Sequence, residues 1–200
     1  MPIRRMFAPL VFTCLLIPVA IVAQETAPPP SPSGPPTALF VSGPELGTSA
    51  PDISLPWGDR TGPGPVEQPF TVAAQRGRVV VLAFYRQDFT SGCTAEMRQF
   101  ADRFEELFGD AVVVGISTDG VDSHVRFAQE LGLPFKLLSD GRQRAASRYG
   151  AKGSDGLNRR VVYVIGKDGK VAYRNTRFDA LDPKAYDSLK AAVQTAQAAS

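Results

Sequence analysis

The chain is 200 residues long, 44% hydrophobic and 21% charged, enough to bury the core of one globular domain. Its formal charge of +2 reflects 22 basic and 20 acidic residues, and because Arg4 and Arg5 are the only charged residues before Gln24, 20 of each sign remain beyond that point. A neutral chain without a basic run is not steered to phosphate, which excludes nucleic acid as its partner.

Residues 1–23 read as a targeting segment: Arg4 and Arg5 make a positive start, Phe7 to Val22 is apolar apart from Thr13, and Ala20 and Ala23 bring small residues to its end. A secretory signal cleaved near Ala23 is the first reading, which exports the domain to a periplasmic or extracellular space. An uncleaved N-terminal membrane anchor is the second, because the apolar stretch is only slightly shorter than the roughly 20 residues a span needs. Cys14 lies inside this apolar run and is assigned no role. Residues 24–45 are a linker, since the proline-rich stretch from Pro28 to Pro36 builds neither helix nor sheet and tends toward extended polyproline II.

Residues 46–200 read as the folded domain. Trp57 to Pro69, holding Pro63-Gly64-Pro65, is expected to be a surface loop. Val79 to Tyr85 is a continuous apolar run of β-branched and aromatic residues, which suits a strand buried on both faces. Met97, Phe100, Ala101, Phe104, Leu107 and Phe108 then recur at helical spacing, with charged residues between them. Ala111 to Ser117 reads as a strand, and Val121 to Leu131 as a helix with Asp119 or Asp122 available as its N-cap. Pro134 to Leu138 is predicted as a short strand and Gly141 to Tyr149 as a helix. Arg160 to Ile165 and Lys170 to Thr176 are strands joined by the hairpin signal Gly166-Lys167-Asp168-Gly169. Asp182 to Ala198, with Pro183 in its first turn, is a closing helix. Strands alternating with helices, then a hairpin and a last helix, predict an α/β layered domain.

Counting back one turn from Met97 puts Cys93 in the first turn of its helix, where unsatisfied backbone N–H groups and the helix dipole favour an anion. A thiol so placed can become a nucleophilic thiolate. The competing reading is an inert buried cysteine behaving as a small hydrophobe. Once the leader is removed Cys93 is the only cysteine, which excludes an internal disulfide, a Cys-x-x-Cys redox pair and a multi-cysteine zinc site. The chemistry left to one thiol is to be oxidised and then rescued by an external reductant. His124, the sole histidine, stands at a helix start far in sequence from Cys93 and reads as structural rather than as a base.

The segment Phe84-Tyr85-Arg86-Gln87-Asp88-Phe89-Thr90-Ser91-Gly92-Cys93-Thr94 resembles the active-site segment of the peroxiredoxins, in particular the Q type, also called bacterioferritin-comigratory-protein-like, whose Pro-x-x-x-Thr-x-x-Cys motif carries the peroxide-reducing thiol. The likeness runs from about Leu46 to about Thr176. It takes in Gly47 to Leu55 as the entry segment, Ser117-Thr118-Asp119, Ser123-His124, Phe127-Ala128 and Leu133 to Asp140 in the middle, and Tyr149-Gly150 with Arg160 to Ile165 near the second active-site residue. It implies a thioredoxin-like fold, a central mixed sheet flanked by helices. It also implies a thiol peroxidase without metal or prosthetic group, reducing hydrogen peroxide or small organic hydroperoxides.

By the same resemblance Cys93 is the peroxidatic nucleophile, Thr90 hydrogen-bonds beside the thiolate and the peroxide, and Arg160 faces the sulfur and stabilises the leaving oxygen. Glu96, one turn after the nucleophile, orients Arg160. Each has a plainer reading: Thr90 as a helix cap, Glu96 as a solvent-facing first-turn carboxylate, and Arg160 as a solvated strand-end arginine with Arg159 an equally basic neighbour. Two positions depart from the family pattern. Arg86 replaces the motif proline, and Arg98 stands where many Q-type members carry a second cysteine. The second departure implies a one-cysteine cycle served by an external thiol, either a thioredoxin-like protein or a low-molecular-weight thiol. The alternative is a non-catalytic thioredoxin-like module for redox sensing or binding.

Overall fold

Every side chain from Val79 to Tyr85 is buried, and the strand they form lies inside the sheet, covered on both sides. The computed structural model of the protein describes residues 43–199; the expected leader, Cys14 and residues 24–42 of the linker lie outside them. In chain order the strands are β1 (Ser54–Leu55), β2 (Trp57–Asp59), β3 (Gly62–Pro63), β4 (Phe70–Thr71), β5 (Val80–Phe84), β6 (Val112–Ser117), β7 (Lys136–Ser139), β8 (Val161–Ile165) and β9 (Val171–Asn175). The helices are α1 (Ser91–Asp102), α2 (Phe104–Phe108), α3 (Val121–Leu131), α4 (Arg144–Arg148) and α5 (Pro183–Ala198). Among the described residues no helix is long and apolar enough to cross a membrane.

The main sheet has seven strands in the order β3-β2-β7-β6-β5-β8-β9. β5, β6 and β7 run parallel, whereas β8 pairs antiparallel with both β5 and β9. Alternation along β5 sends Val81, Ala83 and Tyr85 into one core with Met97, Phe100, Phe127 and Leu189 of α1, α3 and α5. Val80, Leu82 and Phe84 enter the other core with Ala145 and Ala146 of α4, Phe70 and Tyr149. The expected mixed sheet between helical layers is therefore what the chain adopts.

Several local expectations are corrected. The stretch from Trp57 to Pro69 is not all loop, because β2 and β3 form a hairpin and β2 pairs with β7 through Trp57–Leu138 and Gly58–Leu137. The helix after Cys93 breaks at Arg103, which leaves helical geometry at φ −111° and ψ 24°. Neither Asp119 nor Asp122 caps α3; Gly120 holds that place, since the Asp119 carboxylate accepts from the Ser117 hydroxyl and the Asp88 N–H. The helix expected from Gly141 shrinks to α4: Gln143 is left-handed at φ 50°, and the Asp140 carboxylate takes the N–H groups of Arg144 and Ala146 that begin the turn. The closing helix forms as expected, with the Asp182 side chain accepting from Lys184 N–H at 3.0 Å and Pro183 following it.

Candidate active site

β5 delivers the chain to the end of the sheet at Phe84, and seven residues later α1 begins at Ser91. Thr90 is the N-cap, with extended φ −80° and ψ 142°, so Cys93 sits in the first turn. Cys93, Glu96, Met97 and Phe100 form the buried stripe of α1, which carries the thiol and a carboxylate inward together. Among the described residues Cys93 is the only cysteine; it is free and wholly buried.

Arg160 arrives from the other side of the sheet end. β8 runs antiparallel to β5 with Val161 opposite Phe84, so the residue before Val161 stands where β5 gives way to the Cys93 loop. Its Nη2 donates to Cys93 Sγ at 3.4 Å, and its Nη1 pairs with Glu96 Oε2. Neighbouring residues at a strand end face opposite ways. Arg159 accordingly turns away and donates to the Gly150 carbonyl. Gly92 makes room for the guanidinium, since a Cβ there would lie 2.8 Å from Arg160 Nη2. A cleft of about 450 Å³, lined in part by Gly92, Arg160, Phe178 and Leu181, opens beside this pair.

The structure thus brings Cys93, Glu96 and Arg160 together, while Thr90 is directed elsewhere: its hydroxyl donates to the Gln87 carbonyl at 3.0 Å and makes no side-chain capping bond. Arg86 turns to the surface and pairs with Asp155 at 2.6 Å. His124 is wholly buried, with Nδ1 2.9 Å from Asp88 Oδ2. The sequence gives no sign that Asp88, in the loop before α1, would meet His124 on α3. No periodicity marks a contact between a loop and a helix 36 residues further on.

Burial pushes the Glu96 carboxyl up to about 7, against the charge and hydrogen bond of Arg160, which pull it down; its Oε1 has no partner. Burial also pulls the Arg160 guanidinium down, but the charges of Glu96 and Cys93 outweigh this and hold it above its ordinary value. The Glu96 shift has a consequence for stability. Between its ordinary value of 4.5 and about 7 the folded chain holds a proton on Glu96 that the unfolded chain releases, so this group's contribution falls as pH rises through that window. Glu96→Gln is expected to remove that decline. Urea midpoints of variant and wild type measured from pH 4.5 to about 7 check it, and parallel profiles would refute it.

A buried thiol in a helix's first turn, held against a guanidinium that is itself paired with a buried carboxylate, can be oxidised with charge stabilisation close at hand. A profile described as the AhpC/TSA family matches residues 46–174. Peroxiredoxin Bcp of Bacillus subtilis (strain 168) is 34% identical over 106 residues, covering 52% of this chain and 63% of the relative. The chloroplastic Peroxiredoxin Q of Sedum lineare is 37% identical over 107 residues, 52% of this chain and 58% of its own. The chain thus spans less than two thirds of the length of these curated relatives. Among solved structures, Peroxidoxin BcpB from Mycobacterium tuberculosis aligns at a TM-score of 0.63 and 31% identity, over 76% of this chain and 97% of that one. The Bacterioferritin Comigratory Protein of Xanthomonas campestris aligns at 0.60 and 26% identity, over 70% and 90%. With the family profile matching well over half of the chain and the fold shared with these structures, the chain belongs to the AhpC/TSA family.

Proposed function

We propose that the protein is a thiol-dependent peroxidase that reduces hydrogen peroxide or small organic hydroperoxides through Cys93 in a one-cysteine cycle. The observation that carries this reading is the Arg160 guanidinium, 3.4 Å from Cys93 Sγ and braced by Glu96. The thiolate attacks one peroxide oxygen, so that an S–O bond forms as the O–O bond breaks. Sulfur gives up two electrons, and the departing oxygen takes a proton to leave as water or an alcohol. Arg160 supports the anion before attack and the charge developing on the leaving oxygen. Thr90, whose hydroxyl proton goes to the Gln87 carbonyl, keeps oxygen lone pairs that can accept from the peroxide proton once substrate is bound.

The sulfenic acid then condenses with an external thiol, releasing water, and a second thiol frees Cys93 by exchange. A thioredoxin-like protein or a low-molecular-weight thiol fills this role. The one-cysteine form rests on Arg98 standing in place of a second helix cysteine. The leader at 1–23 exports the domain in this reading, or tethers it to a membrane if it is retained, with 24–45 as the spacer.

The complete burial of Cys93 favours a second reading, a redox-sensing module that is oxidised without turning over. One experiment separates them. With one equivalent of peroxide, mass spectrometry is expected to find a dimedone-type adduct at Cys93, and with excess thiol many equivalents of peroxide are consumed per chain. A single oxidation event without turnover would favour the sensor, and no adduct would remove both.

A further inference from the structure

The loop between β5 and α1 decides where Cys93 sits, and it runs against its own conformational preference. Phe89 stands at φ 58°, in the left-handed region that a residue with a Cβ avoids. Within the loop one bond spans it, from the Thr90 hydroxyl to the Gln87 carbonyl at 3.0 Å. What holds it is Asp88, 5% exposed, whose carboxylate accepts from the Tyr85 hydroxyl at 2.6 Å, the Ser123 hydroxyl at 2.7 Å and His124 Nδ1 at 2.9 Å. The Asp88 N–H donates to Asp119 Oδ2 at 2.9 Å, and the Phe89 ring packs edge-on against Phe127 at 5.0 Å. Strand ends β5 and β6 and helix α3 all converge on this one loop residue.

Burial pushes the Asp88 carboxyl up, but the hydrogen bonds and charge from His124, with Tyr85 and Ser123, outweigh it and hold the group below its ordinary value. His124 meanwhile leaves Nε2 buried with no partner. An unpaired nitrogen in a core is costly, so a wholly buried imidazole kept there is explained by what its other nitrogen does. That nitrogen is bonded to the loop that leads into the thiol's helix.

We propose that Asp88 and His124 act as one positioning unit, in which the imidazole on α3 holds the loop carboxylate and thereby fixes Cys93 Sγ against Arg160. The unit touches neither sulfur nor peroxide; it acts through the loop. Displacing a reacting atom by about an ångström can cost a rate on the order of a hundred-fold, so a tether five residues from the thiol is able to control it. The proposal rests on the peroxidase reading for its consequence, though the positioning itself is measurable without peroxide.

The test uses His124→Leu, which fills the space without a donor, His124→Asn, whose amide N–H lies near the Nδ1 position, Asp88→Asn, and the double variant Asp88→Asn with His124→Leu. All are assayed well below their own urea midpoints, so that each is folded. Two rates are read: peroxide consumption, and alkylation of Cys93 by iodoacetamide. His124→Leu and Asp88→Asn are each expected to slow the peroxide reaction about ten-fold or more and to speed alkylation several-fold as the buried thiol loosens. The double variant matches either single one, because the pair acts together. His124→Asn keeps both rates within about three-fold of wild type.

Should His124→Leu not fold, Asp88→Asn against His124→Asn carries the same comparison. Unchanged rates in folded variants with lowered urea midpoints would overturn the proposal, leaving a packing role alone, and fully additive losses would overturn the claim of a unit. If no form of the protein consumes peroxide but alkylation still responds as expected, the peroxidase reading fails while the positioning unit stands.

Discussion

Arg160→Met is expected to lower the second-order rate with hydrogen peroxide at least ten-fold, about 1.4 kcal/mol or more of transition-state stabilisation, and Cys93→Ser to abolish the reaction. Arg160 is the cation that touches Sγ, and methionine keeps much of its length without charge or donors. The fold is expected to survive the change. Removing one member of a buried pair is damaging when it strands a charge, but Glu96, already pushed up to about 7 by burial, takes up a proton once its cation is gone. Arg159→Met is the control, because its guanidinium turns to Gly150 rather than to the thiol. Stopped-flow measurement of the three variants decides the matter: an equal loss from Arg159→Met with none from Arg160→Met would reverse the assignment.

Phe100→Ala is expected to destabilise the domain by about 3–5 kcal/mol, the range for truncating a fully buried aromatic ring. Phe100 is wholly buried on the same stripe of α1 as Cys93. Its ring meets Phe108 at 5.2 Å, Tyr186 at 5.9 Å and Phe178 at 6.0 Å, joining α1 and α2 to α5 and to the segment that lines the cleft beside Arg160. The cavity left by alanine has aromatic walls contributed by three separate parts of the chain, which cannot all move inward to fill it. A lower urea midpoint with an unchanged slope is the expected result, and a change below about 1 kcal/mol would mean that the site repacks.

From β5 onward the alternation of strands and helices, the interior strand at Val80–Phe84 and the place of Cys93 in the first turn of α1 were legible from the chain. Each follows from side chains a few residues apart, where continuous β-branched burial marks an interior strand and three- and four-residue spacing marks a helix face. The motif around Thr90 and Cys93 is equally local, and so is the Asp182–Pro183 start of α5. Where short strands depend on distant partners the reading failed. Trp57–Asp59 and Gly62–Pro63, rich in glycine and proline, read as loop because β2 is completed by Leu137 and Leu138 some eighty residues later.

The site divides in the same way. Sequence determined that the thiol meets a helix start and that the described domain has one cysteine to oxidise. Tertiary structure decided which neighbours that thiol has. Arg160 rather than Arg159 reaches it because β8 pairs with β5 in a register that sets Val161 opposite Phe84, and shifting by one residue would exchange the two faces. Glu96 is a buried partner instead of a solvated first-turn carboxylate because the stripe it shares with Cys93 packs inward, and burial is what moves its titration to about 7. Asp88 and His124 meet only once α3 has packed beside the end of β5. Hydrogen bonds and desolvation act over a few ångströms of space, and the chain's local pattern does not encode which remote groups folding will bring within that range.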